Sequence, residues 1–102
     1  MNEQQLSNLL QTALDKTGKS ARRVQAVRRL AESTAPAALH TLLEIAQESE
    51  EDGLVSRTAG EAIAAVLIRT GEVDRVPLHD FAEAAYVGYD EAVARHLRSS
   101  HE

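Results

Sequence analysis

A chain of 102 residues with 43% hydrophobic content can bury one modest core and has too little material for a second domain. The absence of Cys excludes a disulfide framework, a thiol nucleophile and a Cys-based zinc site. A formal net charge of −5 argues against general binding of nucleic acid, because neutralising phosphates requires a basic surface.

The apolar residues are mostly Ala, Leu and Val, with one Phe, two Tyr and no Trp, a balance that suits closely packed helices. The opening MNEQQLSNLLQTAL lacks the basic start and unbroken apolar stretch of a signal peptide, and no run approaches the roughly 18 apolar residues of a membrane span. A cytoplasmic protein that does not enter a membrane is expected.

In chain order, Leu6, Leu9, Leu10, Ala13 and Leu14 recur at helical spacing and predict a first helix over residues 2–17, ended by Gly18. Ser20 is the expected N-cap of a second helix reaching Ser33, with Val24, Val27, Leu30 and Ala31 as its apolar face. Pro36 suits the first turn of a third helix bearing Leu39, Leu42, Leu43 and Ala46. After a polar break, Leu54, Val55, Ala59, Ala62, Ile63, Val66 and Leu67 trace a fourth, longer helix closed by Gly71, with the widest apolar face. Val76 and Pro77 open a short fifth helix with Leu78, Phe81, Ala82 and Ala85. Gly88 is expected to separate it from a sixth carrying Val93, Ala94 and Leu97, and the tail from about residue 99 to fray.

Internal similarity organises these helices into three pairs. LHTLLEIA at residues 39–46 matches LHDFAEAA at residues 78–85, EAIAAVL at 61–67 matches EAVARHL at 91–97, and Ala26, Leu30 and Ala31 anticipate Ala59, Ile63 and Ala64. The segment RRVQAVRRLAESTAPAALHTLLEIAQES followed by LVSRTAGEAIAAVL resembles HEAT repeats. That resemblance implies one all-α domain over residues 1–102, a right-handed solenoid of αα-hairpins with about six helices in three repeats, and protein binding through a concave face.

Charge is unevenly spread. Residues 15–29 hold six bases (Lys16, Lys19, Arg22, Arg23, Arg28, Arg29) against one acid, whereas residues 44–52 hold five acids and no base, so an electrically two-sided molecule is expected. The acids Glu44, Glu48, Glu50, Glu51 and Asp52 are candidate partner-binding residues, expected to be solvated and able to steer a basic protein, with Asp52 also able to cap the fourth helix. Tyr86 and Tyr89 are further candidates, since an exposed Tyr anchors an interface at little entropic cost, although half-buried packing is the plainer role for both.

Catalytic chemistry finds little support. His40 and His79 lack ligands at the spacing of a helical zinc motif, His96 and His101 are five apart, and Glu44 and Glu83 show no sign of converging. With no phosphate loop or nucleophile elbow, the expectation is a module without enzymatic activity, metal or cofactor. It would bind or occlude another protein, in the manner of an immunity or inhibitor protein against a basic toxin. A homodimer is compatible with this pattern, and the alternative is a nucleic-acid-associated regulator using the basic second helix.

Overall fold

Short polar side chains fix both ends of the first helix. The computed structural model describes residues 2–72 and 76–99; the tail expected to fray beyond residue 99, and His101 within it, lie outside them. Asn2 accepts a hydrogen bond from the Gln5 amide at 2.8 Å and Gln5 returns one to the Asn2 amide at 3.1 Å, a capping box that starts α1 (Glu3–Leu14). The helix stops three residues short of the expected end. The Asp15 carboxylate takes the Thr17 amide at 3.0 Å and the Thr17 hydroxyl at 2.6 Å, a local turn that competes with further helix.

The chain re-enters helix at α2 (Ser20–Leu30), one residue earlier than a Ser20 cap would give: Lys19 is the N-cap, and the Ser20 hydroxyl donates instead to Asp52 at 2.9 Å. Pro36 occupies the first turn of α3 (Pro36–Gln47), as its sequence predicts. Asp52 caps α4 (Gly53–Thr70) by accepting from the amides of Leu54 and Val55, and Gly71 ends it at φ 76°, a left-handed conformation that favours glycine. The Glu72 amide closes that turn on the Leu67 carbonyl at 2.9 Å.

The connections at residues 15–19, 31–35 and 48–52 are each five residues long, so α1 with α2 and α3 with α4 form antiparallel hairpins. The hairpins stack, α2 against α4 and α1 against α3. Between them lie the fully buried Val27, Leu30, Leu42, Ile45, Val55 and Ile63, and α4 carries the most buried face, as its wide apolar stripe predicts.

The third pair takes a different form. Where a fifth and a sixth helix are expected, Leu78–Asp80 make a single 3₁₀ turn and Glu83–Ser99 form one continuous helix, α5. The described residues thus comprise five α-helices and no strand. The match between residues 39–46 and 78–85 does not survive folding, since the first copy is helical and the second spans the 3₁₀ turn, an extended Phe81 and the start of α5. The Ala82 amide donates to the Ala46 carbonyl at 2.8 Å, so α5 begins at the end of the molecule where α3 stops and α4 starts, and it runs beside α4 in the same direction.

Gly88 therefore breaks nothing; it lies inside α5, buried against α4. A Cβ on Gly88 would fall 2.2 Å from the Arg57 carbonyl oxygen, and one on Gly60 would fall 1.9 Å from the Ala85 carbonyl oxygen. The two helices meet backbone to backbone at these glycines. A glycine inside a helix costs about 1 kcal/mol relative to alanine, and here that cost is offset by close packing that no other residue permits. Gly60→Ala or Gly88→Ala is expected to destabilise the fold by about 3 kcal/mol, while Gly53→Ala, whose added Cβ meets nothing within 4 Å, leaves it unchanged or slightly more stable; urea unfolding of the three variants checks this.

Candidate interaction surface

The two oppositely charged segments, far from making opposite faces, meet. Arg23 on α2 and Glu51 in the α3–α4 connection form a two-pronged ion pair at 2.7 and 2.8 Å, with side chains only 4% and 3% exposed. The same guanidinium donates twice to the Ala13 carbonyl at the end of α1, at 3.1 and 3.0 Å, and Glu51 also accepts from the Asp52 amide at 2.9 Å. Around this pair, Lys16 reaches Glu48 at 3.3 Å and Ser20 reaches Asp52.

Three of the five candidate acids are thus engaged within the fold. Glu51 is a buried structural group, contrary to its expected solvation; Glu48 and Asp52 face solvent but hold Lys16 and the start of α4. Hydrogen bonds keep the exposed carboxyls ionised. The Glu50 amide, then Lys16, lower the Glu48 pKa below its ordinary value; the Val55 amide, then the Ser20 hydroxyl, do so for Asp52; the Thr17 hydroxyl does so for Asp15. Glu50 is exposed, and Glu44 is exposed beside His40 at 3.1 Å. The basic second helix is altered in the same way, for Arg23 is withdrawn from its surface.

The two tyrosines diverge. Tyr89 is 5% exposed and sits edge-on to Phe81 with ring centroids 6.1 Å apart, a core position that leaves it unable to anchor a partner. Tyr86, three residues earlier and about 60° around the helix, is 45% exposed. Next to it Val87 is 37% exposed, and Glu83, Asp90 and Glu91 flank them at helical spacing on the outward side of α5. Glu91 is paired with Arg57 of α4, one turn beyond the 55% exposed Leu54. The resulting surface is apolar at its centre and acidic at its rim. Leu54, expected on the buried stripe of the fourth helix, is instead exposed in the first turn of α4; Val87, Asp90 and Glu91 were missed because assigning Gly88 to a loop scrambled the phase of the helix around it.

Among the described residues, no group of three or more His, Asp or Glu side chains is placed to hold a metal ion, and no helix is long and apolar enough to cross a membrane. No family model, no curated protein and no solved structure matches the chain.

Two outcomes follow from this geometry. Glu51→Ala strands the Arg23 charge in the interior and is expected to cost about 3 kcal/mol or more, whereas Glu50→Ala changes stability by less than about 0.5 kcal/mol; urea titration of both variants separates a structural acid from a solvated one. Because the folded-state pKa values of Asp15, Glu48 and Asp52 are depressed, their contribution is complete above the unfolded carboxylate range near ~4 and is lost as pH falls through the lower folded values. Thermal melts should show a plateau near neutrality and a decline in acid, with a shallower decline in Asp52→Asn.

Proposed function

We propose that this chain is a small HEAT-like protein-binding module that binds and occludes a basic partner protein through the outward stripe of α5, needing no cofactor. The two stacked hairpins are read as successive turns of a right-handed solenoid, with α5 as the element that closes it and presents the surface. The observation that carries this reading is the exposure of Tyr86 and Val87 on α5 between Glu83 and the pair Asp90 and Glu91. An aromatic anchor already fixed on a helix loses little conformational entropy on binding, and the acids around it speed and orient the approach of a cationic protein. A cytoplasmic immunity or inhibitor protein acting on a basic toxin is the specific form this takes, since occlusion asks only for a stable complementary surface. The acidic connection between α3 and α4 contributes Glu44 and Glu50 to the surrounding field, while its other acids serve the fold.

A photo-crosslinking residue placed at Tyr86, with a second protein labelled at Gln25 of α2 as control, identifies the partner from native lysate. The expected product is specific to the Tyr86 position and is a basic protein. With that partner purified, Tyr86→Ala combined with Val87→Ala should weaken binding by about 30-fold, the scale of a lost aromatic hot spot, with an unchanged melting curve. Affinity retained within about twofold would mean that the partner does not use this stripe.

A further inference from the structure

On its other flank α5 helps to form a valley with the opposite electrical character. Glu61, Ala65 and Ile68 of α4 make the floor, Arg28 and Ala31 of α2 stand on one side, and Ala92, Arg95 and His96 of α5 on the other. Two adjoining cavities of about 170 and 380 Å³ share Glu61 and Ala65, so the depression runs across α4 from α2 to α5. Its floor is largely apolar. The acid that lines it, Glu61, lies 3.5 Å from Arg57, a partner it shares with Glu91. Arg28 lines the cavity toward α2 and Arg95 the one toward α5, and neither has an ion-pair partner among the described residues. In a chain of net charge −5, two arginines without ion-pair partners thus border one largely apolar bed, with Asp90 and Glu91 one turn back from Arg95 on α5.

We propose that this valley docks an acidic amphipathic helix of another protein, with its apolar stripe on Ala65, Ile68 and Ala92 and its carboxylates toward Arg28 and Arg95. The floor from Glu61 to Ile68 extends about 10 Å along α4, two helical turns, which matches the spacing of apolar anchors in a helix-in-groove complex. Small side chains at Ala65 and Ala92 let a helix approach closely, and an arginine on each wall offers a planar fork to a carboxylate. A nucleic-acid strand fits less well, because it needs a longer track of cations and aromatic platforms for its bases, whereas the valley has two free arginines over alanine and isoleucine. The site is separate from the Tyr86 stripe and shares no lining residue with it.

The test is fluorescence anisotropy of the full chain with a labelled helical peptide of Glu, Leu and Ala. The comparison probes are the same peptide with Lys in place of Glu, a duplex DNA and a single-stranded DNA. The Glu peptide should bind, more weakly as salt rises, and the Lys peptide and both DNAs should not. Arg28→Glu with Arg95→Glu should weaken binding about tenfold or more, and Ala65→Trp should block the floor to a similar degree; all three positions are exposed, and circular dichroism checks that the variants fold. Tyr86→Ala with Val87→Ala should bind the Glu peptide as the parent does, which keeps failure of the valley distinct from failure of the outer stripe. Absence of Glu-peptide binding, equal binding of the Lys peptide or of either DNA, or undiminished binding by the charge-reversed protein would each overturn the proposal.

Discussion

The guanidinium of Arg23 ties the end of α1 and the α3–α4 connection to α2. Nε and one terminal nitrogen hold the Ala13 carbonyl, both terminal nitrogens hold the Glu51 carboxylate, and the side chain is almost fully covered. The last carbonyls of a helix have no partner within it, and burying one unpaired costs about 1–3 kcal/mol. Arg23 supplies the partner from the neighbouring helix and is itself neutralised by an acid from the next hairpin. A lysine in its place could not bond to both groups in one plane. Once Glu51 is held, its carboxylate fixes the Asp52 amide, which sets Asp52 to cap α4. The same device recurs at the other end, where Arg69 donates to the Ala31 and Ser33 carbonyls beyond α2 at 2.9 and 3.2 Å. In both cases an arginine closes the end of an earlier helix, α1 within its own hairpin for Arg23 and α2 in the preceding hairpin for Arg69.

Legibility of the fold followed the locality of each signal. Pro36, Asp52 and Gly71 mark helix ends through effects confined to a turn or two, and the structure places the ends of α3 and α4 there. The end of α1 was missed because Asp15 and Thr17 bond to each other, a competitor that apolar periodicity does not register. Gly88 was misread for a deeper reason. A glycine that interrupts a helix and a glycine that lets another backbone touch it look alike in one dimension, and only the Arg57 carbonyl behind it distinguishes them. The apparent repeat at residues 78–85 failed similarly, since likeness of residue types carries no information about whether a helix has room to form.

Charge was the least legible feature. A basic block and an acidic block read as two faces when taken separately, yet Lys16 with Glu48 and Arg23 with Glu51 pair across 32 and 28 residues. Oppositely charged blocks are as readily the two sides of one internal contact as separate surfaces for outside partners. What remains exposed after this internal pairing is organised by α5, acidic and apolar on its outward side and cationic where it borders the valley.

The backbone contact at Gly60 and Gly88 has a mechanical consequence for both sides of α5. Side-chain packing between helices usually has some compliance, because long side chains shift rotamers as the axes move. Carbonyl oxygens resting against glycine Cα atoms have no such play, and dispersion at that range falls off within a fraction of an ångström. The crossing therefore behaves as a hard stop: α5 is either seated or separated, with little energy gained in between. A ligand pressing on either flank meets an unyielding support, so the adjustment needed for complementarity, and most of its entropic cost, falls to the ligand.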